Sequence, residues 1–422
     1  DDEYAVTASG RRLQLLLRSE LDRPREVAFS VRPMGAPVRH NRCGMKALPT
    51  SAIDITQWWV LAATVALVPL VYSRWTFDVF NITEATTLRL GVVIALGLQV
   101  AKRDRGGSHR PVLWTAVAVY LLIVGAATLA SRAPWVSLFG LYGRLGGLTT
   151  LVPAVILGWL LSDHLARRPA RRTQLAFAVG ISSCLGALYL MGQELDIETI
   201  AWLESRGRQP SHPPGLLGNS NFSGAHVAIG LPALAWCAGR ASGYRRSAWV
   251  AAAGIALVGV AVSQSRGAML AAAVGLVVLA ALLPQRPRWV PAAAVGAIVV
   301  VGAAAVLTSS GVAELTDSTT TGERIDLWQV ALEGSTDHLV LGGGPDLYLL
   351  TFDEHAGPEL AGVSADEPHN VVLDHLDGSG VLGAVAWLVV VGAVVHTARP
   401  IARRSPMALW LAMGSAYLAQ AM

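Results

Sequence analysis

Apolar runs of about 14 to 20 residues recur along this chain from residue 57 to its last residue, and no other feature constrains the fold as strongly. Each run matches what a helix needs to cross the roughly 30 Å hydrocarbon core of a bilayer. Composition agrees, since 53% of the 422 residues are hydrophobic and only 15% are charged, against roughly 25% charged in soluble domains. The sequence therefore predicts an all-α, polytopic transmembrane helical bundle rather than a soluble enzyme.

Eleven spans are expected, at 57–72, 85–101, 112–130, 148–161, 175–191, 222–237, 248–262, 268–283, 289–307, 381–395 and 407–422, each bounded by polar or Pro/Gly-rich residues. Residues 1–44 hold eight Arg, six acids and no apolar stretch, so they lack the 7–15-residue core of a signal peptide. This segment is expected to be a disordered or non-native extension, with Met45 as the native start. Cys43, Cys184 and Cys237 make no even-numbered framework, which removes disulfide and zinc-ribbon readings.

The distribution of basic residues gives the orientation. Lys102, Arg103, Arg105 and Arg110 share one loop, and Arg167, Arg168, Arg171 and Arg172 share the next but one. Alternation continues through Arg240, Arg245 and Arg246, then Arg286 and Arg288, then Arg399, Arg403 and Arg404. The intervening loops are longer yet hold only Arg74, Arg132, Arg144, Arg206, Arg208, Arg266 and Arg324. Excess Lys and Arg marks cytoplasmic loops, so the N-terminus is expected inside a multi-pass protein of the plasma (inner) membrane.

Two outer loops, 193–221 and 308–380, are too long to be connectors alone. From Glu314 to Asp377 the second carries fourteen acids and one cation, Arg324. Such a field repels anions, so any anion bound there needs specific arginines. Within it, Glu323 to Glu333 places Ile325, Trp328 and Leu332 on one helical face, predicting a short helix lying on the bundle. Gly342, Gly343, Gly344 and Pro345 form a turn, since neither a Gly-Lys-Ser/Thr nor a GxGxxG completion makes it a phosphate loop. Pro368 suits a first helical turn, and His369, Val372 and Leu376 then align up to a stop at Gly378 and Gly380.

A histidine in a first helical turn is held neutral by the helix dipole and can accept a proton. The plainer reading of His369 is a surface histidine bonded to its own loop. Arg266 lies in the short break Ser263-Gln264-Ser265-Arg266-Gly267, where a guanidinium must snorkel, pair or face water. Arg144 sits among glycines that allow close backbone approach or simple packing. Asp366, Glu367 and Asp374 match no established metal-ligand spacing, and no metal is expected there.

Gly215-Leu216-Leu217-Gly218-Asn219-Ser220-Asn221-Phe222 resembles the Gly-x-x-Gly-Asn-x-Asn-Phe motif of the O-antigen ligase-like membrane proteins. Ser265-Arg266-Gly267 fits the same pattern, followed by Arg324-x-x-x-Trp328 with Gly342-Gly343-Gly344-Pro345-Asp346, then His369-Asn370 with Gly380-Val381-Leu382-Gly383. The resemblance covers residues 45–422. It implies a glycosyltransferase C-like bundle and transfer of a glycan from a polyprenyl-diphosphate carrier to an acceptor hydroxyl outside the membrane. Carried over by residue, it makes His369 and Arg266 catalytic and assigns the donor diphosphate to Arg266, Arg324 and Arg144. Asn219, Asn221, Asn370 and Gly343 are expected to structure the loops. A further family arginine corresponds to Arg206 or Arg208.

The chain departs from many members at Glu84-Ala85-Thr86, where they carry a lysine, and its last span reaches residue 422 without a flanking loop, as in a chain cut short. Partners implied are the lipid-linked glycan donor, a glycolipid, glycan or protein acceptor, and membrane lipids, with no nucleic acid and no cofactor. Guanidinium groups that hold phosphate bidentately are expected to replace a metal, and a base acting on the acceptor implies inversion. The rivals are a lipid-linked repeat-unit polymerase, a solute or ion transporter, and a noncatalytic scaffold or flippase partner. Transport calls for midplane charges and paired broken spans, but only Arg89 lies well inside a span.

Overall fold

Ten of the eleven expected spans coincide with α-helices in the computed structural model, which describes residues 6–9, 12–15, 50–76, 78–102, 111–197, 212–282, 318–360, 364–401 and 405–421. The span expected at 289–307, the basic residues Arg103, Arg105, Arg110, Arg286, Arg288, Arg403 and Arg404, and Arg206 and Arg208 lie outside the described residues.

The chain divides into two units, 1–48 and 49–422. In the first, strands β1 (Val6–Ser9) and β2 (Arg12–Leu15) pair antiparallel, with Val6 opposite Leu15 and Ala8 opposite Leu13.

The second unit is a polytopic helical membrane bundle. Its helices are α1 (Thr50–Leu67), α2 (Asn81–Ala101), α3 (Pro111–Leu129), α4 (Pro134–Phe139), α5 (Leu148–Arg167), α6 (Pro169–Glu194) and α7 (Ser220–Arg240). They continue with α8 (Gly243–Val262), α9 (Arg266–Leu282), α10 (Ser318–Ser335), α11 (Tyr348–His355), α12 (Val371–Ala398) and α13 (Ser405–Ala421). Eight of these, α1, α2, α3, α5, α6, α7, α8 and α12, are long and apolar enough to cross a membrane. Their exposed faces carry large apolar side chains such as Leu90, Val119, Leu122, Val250 and Leu388, which suits contact with lipid.

Helix α7 is the most deeply buried of these spans. It packs against α6, α8, α9 and α13 through small residues. A side chain at Gly230 would collide with Ser183, and one at Gly224 with Ser263 and Ala268. Such close approach is how helices gain dispersion contact where lipid competes for apolar surface.

The opposite half of the bundle is fastened by polar groups. Asp54 on α1 accepts from Lys102 at 2.7 Å and from Arg171 at 2.5 Å, with Arg168 at 3.1 Å. Gln57 donates to Ala95 O at 2.8 Å, and its carbonyl meets the His164 ring at 2.9 Å. Helices α1, α2, α5 and α6 are therefore joined at the end that the charge distribution assigns to the cytoplasm.

Helix α12 runs through the stop expected at Gly378 and Gly380, but not as a regular helix. Gly380 has φ 67° and ψ −171°, and the amides of Val381 and Leu382 donate to Leu339 O at 2.9 Å and Val340 O at 3.4 Å. Upstream, Gly343 and Gly344 donate to Asp377 O and Gly378 O. Segment 339–344 thus satisfies the groups released by the kink, and the expected short helix and following span are two halves of one broken helix.

Candidate functional site

Helix α12 begins at Val371 because Asn370 is a strong N-cap: its Oδ1 accepts from Val372 N at 3.0 Å and Leu373 N at 3.3 Å. His369 therefore lies before the cap rather than in the first turn, with a left-handed φ of 51°. This corrects the expectation built on Pro368, since a side chain that satisfies two helix-terminal amides outweighs a proline's tolerance for the first turn. The imidazole meets a carboxylate instead of the helix end. His369 Nδ1 lies 2.7 Å from Glu367 Oε1. An acceptor at that distance fixes the hydrogen on Nδ1 and leaves Nε2 as the basic nitrogen.

Glu367 is itself placed by Arg144. The guanidinium donates to Glu367 Oε2 at 2.9 Å and to the Asp366 carbonyl, and lies 3.4 Å from Asp346 and 3.6 Å from Asp374. Burial works against the guanidinium's charge, but Asp374, Glu367, Asp346 and Asp366 outweigh it and raise the Arg144 pKa. Burial likewise pushes Glu367 up, yet the His369 ring and Arg144 hold it below the ordinary glutamate range.

The loop that presents Arg144 is shaped by the Gly-Gly-Gly-Pro-Asp turn. Asp346 accepts from Leu141 N at 2.6 Å and Gly146 N at 2.9 Å, and a side chain at Gly146 would press to 2.8 Å from that carboxylate. From the other side Asn81 donates to Gly143 O. Gly343 bridges two elements, donating to Asp377 O at 2.9 Å and accepting from Arg132 N at 3.1 Å. Three segments far apart in sequence are thus joined around one histidine.

They border a cavity of about 460 Å³. Its polar lining includes Arg144, Arg324, Glu367, His369, Asp374 and Asn221; Leu217, Phe222, Ala225, Ile229 and Tyr417 give its apolar lining. Asn219 accepts from Asn221 N at 2.8 Å and caps α7, which sets Asn221 and Phe222 in the wall. Arg324 projects from α10, whose buried face is Leu327, Val330 and Ala331, packed on Tyr348 and Phe352 of α11. The face expected from Ile325 and Leu332 is about half exposed. Tyr348 decides the difference, because its hydroxyl donates to Leu327 O at 2.7 Å and turns that stripe inward.

Arg266 is the first residue of α9, after a break capped by Ser265, whose Oγ accepts from Ala268 N at 3.2 Å. Its Nη2 is buried with no hydrogen-bond partner among the described residues, and its neighbour Gly267 lines the cavity. A buried guanidinium nitrogen left in that condition calls for an anionic or carbonyl oxygen. Among the described residues no group of three or more His, Cys, Asp or Glu is placed to hold a metal ion.

Sequence reasoning missed His226 and Tyr417, both of which line this cavity. The signal for His226 was present: Phe222, Ala225, His226 and Ile229 recur at helical spacing, and the Asn-x-Asn-Phe motif opens that face. Tyr417 carried no such signal, because α13 reaches the cavity only through its packing on α9 and α7.

Residues 251–388 match the family model described as O-antigen ligase. The matched segment holds Arg266, Arg324 and His369, while Arg144, Asn219 and Asn221 precede it. No curated protein and no solved structure matches the chain. Over this segment, about a third of the chain, the protein is similar to the O-antigen ligase family.

Proposed function

We propose that this O-antigen ligase-like protein transfers a glycan from a polyprenyl-diphosphate carrier to an acceptor hydroxyl on the extracytoplasmic face of the membrane, with inversion and without a metal. The observation that carries this reading is that His369, braced by Glu367, shares one cavity with Arg324. A base beside a guanidinium that makes no ion pair among the described residues suits displacement of an anionic leaving group.

In this mechanism the acceptor hydroxyl gives its proton to His369 Nε2 as its oxygen attacks the anomeric carbon. The carbon–oxygen bond to the diphosphate breaks, and the electron pair leaves with the phosphate oxygen. Glu367 stabilises the imidazolium that forms, the role an acidic partner plays for any histidine base. Arg324 and Arg266 hold the departing charge, since guanidinium groups bind phosphate oxygens bidentately and stay ionised. Arg144 is already engaged by carboxylates, so in this scheme it positions Glu367 rather than binding diphosphate.

The test is release of polyprenyl diphosphate from a labelled lipid-linked glycan in reconstituted vesicles with EDTA present, using a cell-envelope extract as acceptor. The wild type is expected to turn over. His369→Ala should lower turnover about 10²- to 10⁴-fold with little change in donor affinity, whereas Arg266→Ala should weaken both. Equal effects of the two variants on binding and turnover would sink these roles. A single addition product marks a ligase, and a ladder marks a polymerase.

A further inference from the structure

His226 faces the cavity from the middle of α7, one helical turn below Phe222. The mechanism gives it no task, yet its surroundings fix its hydrogen-bonding state. Ser182 on α6 donates its only hydroxyl hydrogen to Ala66 O, 2.8 Å away. Toward the His226 Nε2, at 3.3 Å, the same oxygen can therefore only accept. Nε2 must carry the ring hydrogen. Gly186, one turn further along α6, gives the ring its room, since a Cβ there would stand 3.2 Å from His226 Cδ2.

With Nε2 engaged, the other ring nitrogen, Nδ1, makes no hydrogen bond among the described residues, and the residue lines the cavity. Among the described residues no carboxylate pairs with the ring, although Glu367 and Asp374 line the same cavity, and Phe222, Ala225 and Ile229 of its own helix give the apolar wall beside it. An unpaired charge in such a setting is costly, so the ring is the neutral Nε2–H tautomer. The cavity thus offers two kinds of group. Arg324 attracts phosphate oxygen, while the bare Nδ1 lone pair repels it and accepts from a hydroxyl or amide N–H.

We propose that His226 Nδ1 accepts a hydrogen bond from a hydroxyl or amide N–H on the sugar attached to the carrier, and so acts as a positioning residue that selects the donor glycan. The inference rests on the reading of this cavity as the site of a lipid-linked glycan. It assigns the carrier's diphosphate to the arginines and its first sugar to α7. A sugar fixed at that point presents its anomeric carbon in one orientation to the acceptor activated by His369.

Two substitutions separate this role from simple packing. In His226→Gln the side-chain amide reaches the place of Nε2 and keeps the Ser182 contact but removes the Nδ1 acceptor. In His226→Asn the amide oxygen takes the place of Nδ1. Full-length protein in nanodiscs would be titrated with undecaprenyl diphosphate bearing one N-acetylglucosamine, and with sugar-free undecaprenyl diphosphate. For the sugar-bearing probe, His226→Gln should weaken binding about tenfold or more, and His226→Asn should stay within about threefold of wild type. For the sugar-free probe both variants should match wild type.

Equal weakening for both probes by His226→Gln would mean a structural role and overturn the proposal, as would wild-type affinity of His226→Gln for the sugar-bearing probe. In that case the wild type still binds both lipids and the donor reading survives. If the wild type binds neither lipid, the donor reading fails and this inference falls with it. Should a variant fold poorly, histidine-¹⁵N spectra of the wild type decide the matter: His226 Nδ1 should resonate as an unprotonated nitrogen and shift with the sugar-bearing probe only. A protonated Nδ1, or equal shifts with both probes, overturns the assignment.

Discussion

His369 gains its place from Glu367, and Glu367 from Arg144, so the proposed mechanism depends on a chain of charges in which His369 alone would meet substrate. Glu367→Gln keeps the volume and removes the charge that would stabilise an imidazolium. Turnover should fall about 10- to 1,000-fold with donor affinity little changed, checked by single-turnover transfer assays; unchanged turnover would remove Glu367 from the mechanism. The same carboxylate sets a pH dependence. Because His369 and Arg144 hold Glu367 below the usual range despite its burial, the unfolded chain binds more protons there than the folded protein. Its stabilisation is complete above about pH 4.3, the ordinary glutamate value, and is lost as pH falls through the lower folded value. Melting curves of wild type and Glu367→Gln should differ at neutral pH and converge as pH falls through the lowered folded value. At this scale His369 was legible as a candidate base because a motif marks it. Its carboxylate partner was legible only as a residue type, since the left-handed turn that brings Glu367 to 2.7 Å follows from where Asn370 caps the helix.

At the level of elements, the broken helix α12 does the joining. Gly380 must be glycine for two reasons: φ is 67°, and a Cβ would stand 2.3 Å from Val340 O. Gly380→Ala should cost at least about 2 kcal/mol through left-handed strain and collision together. Thermal unfolding in detergent, read beside wild type, checks this; equal melting temperatures would show that α12 can straighten without loss. The helix periodicity of the spans was readable because each buries or exposes a face in a repeating pattern. The inward stripe of α10 was not, because two apolar stripes, one through Ile325 and Leu332 and one through Leu327 and Ala331, compete on the same helix. The partner α11 chooses between them. An amphipathic pattern names candidates for burial, and the neighbour selects one.

For the whole molecule, orientation is the central prediction. In a background with Cys43, Cys184 and Cys237 replaced by Ser, a cysteine at Asp337 should react with a membrane-impermeant maleimide in intact cells. One at the exposed Tyr244 should react only after the membrane is opened. The reverse pattern would invert the topology and put the proposed chemistry on the wrong face.

The sequence by itself determined that this protein spans a membrane many times and where most spans lie, because hydropathy is a local property of the chain. Tertiary structure alone decided that Arg144 is occupied by four acidic residues, that His369 stands beside Glu367, and that His226 shares its cavity. The Arg144 and His226 placements depend on contacts between segments separated by tens to hundreds of residues, and the His369–Glu367 pair depends on the turn that Asn370 sets at the helix start. An ion pair or a shared cavity is a property of distance in space, and no local pattern carries it.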